Sequence, residues 1–152
     1  MKKVSLFFVN VLLSGILLAQ EPVSYGFTFN HLALSVKVVN RSAEFYKNVL
    51  KLQEITNRTK MEGIRWFSLG EGKELHLISV LKEPVTINKG VHVALATADF
   101  DSFVKALNAM KIAYSDWPGT PDKINIRADG IKQIYFQDPD GYWIEVNSLG
   151  QK

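Results

Sequence analysis

The chain has no cysteine among its 152 residues and only three histidines. Without thiols it can form no disulfide, offer no thiolate nucleophile and build no sulfur-ligated metal site. A core without cross-links must stand on apolar burial alone, and 152 residues with 47% hydrophobic and 22% charged residues are enough for one domain. Charge of one sign is equally scarce. The formal net charge is +3, and without Lys2 and Lys3 the count is 16 basic against 15 acidic residues. No Lys/Arg cluster interleaves with aromatics, so no nucleic-acid partner is expected.

Long apolar runs are missing too. Residues 4–19 are the one extended stretch, interrupted by Asn10 and Ser14, and they fall short of the roughly 20 residues of a membrane span. Preceded by Met1-Lys-Lys3, they read as a secretory signal peptide removed near Ala19 or Gln20. The expected organisation is a signal over 1–20 and one domain over 21–152, exported to a bacterial periplasm or secreted, with no membrane contact once the signal is gone. No Cys follows the run, which excludes lipoprotein processing.

What the chain does have is an internal repeat. His31-Leu-Ala-Leu-Ser-Val36 returns 61 positions later as His92-Val-Ala-Leu-Ala-Thr97. A second match, at an offset of 69, lays Trp66-Phe67 on Tyr135-Phe136, Gly72 on Gly141 and His76 on Glu145. Repeats are read before local structure because they set the architecture. Each half, about 27–80 and 91–148, reads strand, helix, then three strands. Around His31 the alternation puts Leu32, Leu34 and Val36 on one face and His31, Ala33 and Ser35 on the other. Asn40 is the expected N-cap of a helix whose stripe runs Ala43, Tyr46, Val49 and Leu50, and Asp99 precedes its copy. Strands are expected over 53–59, 64–69 and 74–80, then over 112–117, 131–137 and 143–147. Gly70-Glu-Gly72 and Asp138-Pro-Asp-Gly141 supply the turns. The second half is longer by eight residues, in a Pro-, Gly- and Asp-rich loop at 116–130, and long loops often carry function. The fold class is α+β: two tandem β-α-β-β-β modules, helices outside, forming a curved mixed sheet around a cleft.

The repeat places four ligand-type side chains at matched positions: His31, His76, His92 and Glu145. Imidazole nitrogen and carboxylate oxygen suit one divalent transition metal, Zn, Ni, Co, Fe or Mn, rather than Ca or Mg. A single strand histidine is usually packed or hydrogen-bonded, but here all three in the chain fall in the set. Ala33, Ser35, Ala94 and Ala96 share the faces of His31 and His92 and leave room beside the rings. Glu145 alternates with Ile144 and Val146, which aims its carboxylate into the cavity, and it is the candidate catalytic group. Trp66 and Tyr135 are equivalent aromatics that wall a substrate pocket or pack the core. Arg127, beside the long loop, is a candidate contact for an anionic substrate group.

His31-Leu-Ala-Leu-Ser-Val, Glu44-Phe-Tyr-Lys-Asn-Val-Leu50 and Phe136-Gln-Asp-Pro-Asp-Gly-Tyr-Trp-Ile-Glu145-Val together resemble the vicinal oxygen chelate superfamily. That group includes glyoxalase I, extradiol dioxygenases, fosfomycin-resistance transferases and bleomycin-resistance proteins. The resemblance implies paired β-α-β-β-β modules, a metal in their cleft, a small-molecule substrate and a homodimer. The pattern is most similar to short bacterial glyoxalase I, which implies ligands at His31, His76, His92 and Glu145 and a lyase or isomerase activity. That enzyme carries Glu where this chain has His76. Extradiol dioxygenases resemble the chain through His31, His92 and Glu145, a set for Fe(II), with His76 left over. Fosfomycin transferases share Tyr135, but the Thr they carry two after the first His is Ala33 here. A non-catalytic binding protein is the remaining alternative, and bleomycin-resistance proteins bind without metal.

Overall fold

The computed structural model describes residues 26, 28–80, 83 and 85–149. The expected signal segment lies outside them. No helix among the described residues is long and apolar enough to cross a membrane.

The repeat is realised as two copies of one unit. The first comprises β1 (His31–Ser35), α1 (Val39–Asn48), β2 (Glu54–Ile55), β3 (Ile64–Gly70) and β4 (Lys73–Ile78). The second comprises β5 (His92–Ala96), α2 (Phe100–Ala109), β6 (Asn125–Ile126), β7 (Lys132–Gln137) and β8 (Trp143–Asn147). Each unit forms a four-stranded mixed sheet, in the orders β1-β4-β3-β2 and β5-β8-β7-β6. The first strand of each runs parallel to the last, and the remaining pairs are antiparallel. This is the α+β architecture of paired modules, and it leaves β1 and β5 as sheet edges.

Register explains the repeat. Ala33 lies opposite His76, and Ala94 lies opposite Glu145. Trp66 pairs with His76, and Tyr135 pairs with Glu145. The alanines therefore occupy the places where a larger side chain would collide with the ligand-type residues across the ladder. The opposite strand faces are apolar and share one core. Leu34, Val36, Leu75, Leu77 and Phe67 of the first sheet join Ile134, Phe136, Ile144 and Val146 of the second, with Ala43, Tyr46 and Val49 of α1 and Phe100, Val104 and Leu107 of α2. His31, His76, His92 and Glu145 thus sit on faces turned away from that core, because side chains alternate along a strand.

Three local expectations need correcting. Residues 112–117 form no strand; Ser115 alone bridges to Pro121 and Tyr135, and the edge position goes to β6 inside the expected loop. β2 is only Glu54–Ile55, because Asn57 folds the following residues into a turn, accepting from Thr59 and donating to the carbonyls of Met61 and Ile64. The helix cap also differs. α1 is preceded by Val38, which supplies no side-chain cap, and Asn40 lies within the first turn. Asp140, from far along the chain, lies beside this helix start: it accepts the Lys37 N–H, one residue before the N-cap, at 2.8 Å and the Ser42 hydroxyl. A carboxylate beside a helix N-terminus complements the helix dipole.

Asp140 belongs to a larger clasp between the modules. Asp138 accepts the buried Tyr46 hydroxyl at 2.9 Å and the backbone N–H groups of Asp140 and Tyr142. Tyr142 donates its hydroxyl to the Ser35 carbonyl, and Arg41 donates to that of Pro139. The Asp138–Gly141 turn therefore grips the end of β1 and the start of α1.

Candidate metal centre

The second module carries the better-formed pair of donors. His92 Nε2 and Glu145 Oε2 lie 3.4 Å apart. The other ring nitrogen, Nδ1, donates to the Lys89 carbonyl at 3.0 Å, which fixes the tautomer and leaves the Nε2 lone pair facing the carboxylate. Two lone-pair atoms converge at a distance beyond an ordinary hydrogen bond. It matches about 3.4 Å, the separation of two tetrahedral ligands bound at about 2.1 Å.

Glu145 is buried and held from both sides. Asn147 Nδ2 donates to Oε1 at 2.9 Å, and the Tyr135 hydroxyl donates to Oε2 at 2.7 Å. Gln133 in turn donates to the Tyr135 oxygen. Burial, then the bond to Glu145, pushes the Tyr135 pKa up, so its hydroxyl stays a donor at neutral pH. Such outer partners orient ligands and tune their basicity.

In the first module His31 and His76 also come together, but as a stack. Their ring centroids are 4.4 Å apart at 18°, and Trp66 lies on the other face of His76 at 4.0 Å and 8°. Arg58 covers the far side of Trp66 at 4.8 Å. Imidazole lone pairs lie in the ring plane, so two nearly parallel rings cannot both direct them at one ion. His76 Nε2 donates to Glu74 at 2.8 Å, and Arg58 also binds Glu74 at 2.7 Å. His31 Nδ1 donates to the Asn30 side-chain oxygen at 2.7 Å. Each of the three histidines thus gives one nitrogen to an oxygen acceptor, and a metal ligand would use the other nitrogen of the neutral ring.

The donor chemistry fits a divalent transition metal, but one chain does not assemble all four donors. Among the described residues no group of three or more His, Cys, Asp or Glu side chains is close enough to hold an ion. The four fall into two pairs, His31 stacked on His76 and His92 beside Glu145, each a candidate half-site.

The remaining candidates divide. Tyr135 is buried beneath the second half-site with His92 edge-on at 5.6 Å, and Trp66 is buried inside the stack of the first. Arg127 is near enough for its charge to act on Tyr135, yet it forms a 2.7 Å ion pair with Asp129 in its own turn. That pairing leaves it less free for an anionic ligand than an open guanidinium would be.

Several residues escaped sequence reasoning. Glu74 was legible from alternation, lying two positions before His76 on the same strand face. Lys89 was not, because it sits in a linker. Its ammonium donates to the carbonyls of Asp116 and Trp117 and to Ser115 Oγ, at 2.5, 3.0 and 3.2 Å. It also lies over the rings of Tyr135 and Trp143, at 4.6 and 4.8 Å. Burial lowers its pKa, with Asp116 opposing.

With this geometry in view, comparison with known proteins fixes the family. The model of the Glyoxalase/Bleomycin resistance protein/Dioxygenase superfamily matches residues 28–146, and the chain belongs to that superfamily. A relative in Bacillus subtilis (strain 168), the uncharacterized protein YwbC, is 26% identical over 122 residues, 76% of this chain and 93% of its own. Among solved structures, Oxidase ChaP-H2 is similar at a TM-score of 0.68 and 22% identity, covering 83% of this chain and 96% of that one. A lactoylglutathione lyase from Agrobacterium tumefaciens gives 0.63 and 17%, with the same coverage. These two likenesses are of fold.

Proposed function

We propose that the protein is an exported, divalent-metal-dependent enzyme of glyoxalase-I-like type, acting as a lyase or isomerase on a small substrate with adjacent oxygens. The observation that carries this reading is the His92–Glu145 pair at 3.4 Å with the His92 tautomer fixed by the Lys89 carbonyl. The ion would be held by His92 and Glu145 of one copy and by one histidine of the His31/His76 stack of a second copy in a homodimer. Two features favour that arrangement. Among the described residues β1 and β5 are edge strands, each paired on one side only, and each carries its histidine at its first residue. The donors also face away from the core that joins the modules, the side that a partner chain would cover, and no three of them come together within the described residues.

When bound, the ion supplies a Lewis acid for the substrate oxygens. Glu145 is the group positioned to move a proton, its Oε2 steered by the Tyr135 hydroxyl and its Oε1 by Asn147. Tyr135 and Trp66 flank the two half-sites. Export rests on residues 1–20 alone, and cell fractionation checks it.

The expected result for protein purified without chelators is one divalent ion per chain and a dimeric mass by light scattering. No ion retained, and none taken up on adding Ni, Zn or Fe, would leave the chain as a non-catalytic binding protein. A second reading, oxygen-using chemistry at Fe(II), is favoured by the commitment of His76 to Trp66 and Glu74, which leaves His31, His92 and Glu145 as a two-His, one-carboxylate set. Oxygen uptake on catechols by iron-loaded protein selects it. Proton exchange into a 2-hydroxyketone selects the isomerase.

A further inference from the structure

The loop after Ser115 is closed and tied down rather than open. Asp116 is buried, and its Oδ1 accepts the N–H groups of Gly119 and Thr120 at 3.0 and 2.7 Å, while Oδ2 pairs with Lys123 at 3.2 Å. From this loop Trp117 projects with 48% of its surface exposed, an unusual exposure for a large indole. Its ring stands edge-on to His92 at 6.1 Å and to Tyr135 at 5.4 Å. An aromatic side chain thus rises beside the donor pair while keeping free surface of its own.

Lys89 is what holds it there. All three N–H groups of its ammonium are used, on Ser115 Oγ and the carbonyls of Asp116 and Trp117, so none is left for an anionic ligand. The rings of Tyr135 and Trp143 cover it further. The backbone of the same residue fixes the His92 tautomer through its carbonyl. One linker residue therefore sets both the histidine and the aromatic beside it.

We infer that Lys89 is a positioning residue that pins Trp117 beside His92, and that the pinned indole is a side wall selecting substrates with a planar aromatic group next to their chelating oxygens. The second half rests on the metal-site reading above; the pin does not. The indole face offers stacking and apolar contact, which an aliphatic substituent uses less well.

The test uses the full chain labelled with 5-fluorotryptophan, whose three tryptophans give three 19F lines, with Trp117→Phe identifying one of them. In metal-free protein, Lys89→Met is expected to displace the Trp117 line and change its width while the Trp66 line stays as a fold control. Lys89→Arg should return it part of the way. Ser115→Ala, which removes the longest of the three bonds, should give a smaller displacement in the same direction and serves if Lys89→Met misfolds. An unmoved Trp117 line beside an unmoved Trp66 line overturns the pin.

For the wall, mandelate and lactate are titrated into Zn-loaded protein. Mandelate should bind about three- to tenfold tighter, as one aromatic contact allows. Trp117→Ala and Lys89→Met should bring that ratio to about one. Equal binding of the two probes by the unmodified chain overturns the wall. Binding of neither refutes the metal-site reading instead, and the 19F lines still decide the pin.

Discussion

On the proposed metal-site reading, a Glu145→Ala chain is expected to fold and to hold no divalent ion. Removing outer-sphere partners alone costs about 10- to 100-fold in metal affinity, so losing the carboxylate itself should exceed about 100-fold. The expected fold cost is smaller. Tyr135 loses one acceptor but still receives the Gln133 N–H, and Asn147 loses its acceptor on Oε1, for a penalty of about 1–3 kcal/mol. Competition with a chelator, followed by elemental analysis, separates the two effects from a denaturant melt. Tyr135→Phe is the graded control: it keeps the ligand but frees Oε2, and should weaken metal binding within the 10- to 100-fold range. Normal occupancy in Glu145→Ala would remove this carboxylate from the site.

Asp138→Ala should destabilise the fold by about 3 kcal/mol, because three donors lose their acceptor at once and each lost bond at a buried site costs about 1 kcal/mol. Those donors are the Tyr46 hydroxyl and the N–H groups of Asp140 and Tyr142, each at 2.9 Å. The loss loosens the turn that also presents Asp140 to the start of α1, while the apolar core shared by the modules is left intact. Tyr46→Phe removes one of the three bonds and should cost about 1 kcal/mol. The pH dependence has a definite sign. Burial raises the Asp138 pKa above its ordinary value, so the folded chain binds this proton more readily than the unfolded chain. Stability from this group is present in full below the ordinary carboxylate pKa of about 4 and falls as pH rises through the raised value. Denaturant melts across that window should show the slope in the unmodified chain and its loss in Asp138→Asn.

Much of this was legible because a duplication writes the same physical constraint twice. Ala33 and Ala94 are small for one reason, that each faces a ligand-type side chain across a parallel ladder, and sequence alone placed them there. The helix stripes were equally visible, with Ala43 and Tyr46 buried in one and Phe100, Val104 and Leu107 in the other. Contacts between distant segments were less so. Val38 lacks a capping side chain, and nothing local announces that Asp140 of the other module lies beside this helix start, bound to the Lys37 N–H and the Ser42 hydroxyl. Residues 112–117 have the apolar, aromatic character of a strand but form none, because Asp116 collects backbone N–H groups into a closed loop. His76 was matched to Glu145 correctly in register, yet register says nothing of ring orientation. The stack with Trp66 and His31 depends on Glu74 and Arg58 holding the ring flat.

Lys89 shows the same limit from the other side. Its spacing to His92 carries no motif, and its role emerges only once Ser115, Trp117 and Tyr135 surround it.

The central claim, one ion shared between half-sites on two copies, is tested most directly by complementation. Chains carrying His31→Ala and chains carrying Glu145→Ala are given different affinity tags, mixed, and purified through both tags, and the metal content of the mixed dimer is measured. Neither homodimer should retain an ion, while the mixed dimer should hold one, formed from the intact His31 of one chain and the intact Glu145 of the other. A mixed dimer with no ion, alongside a fully occupied unmodified dimer, would mean that each chain closes its own site and would contradict the shared centre.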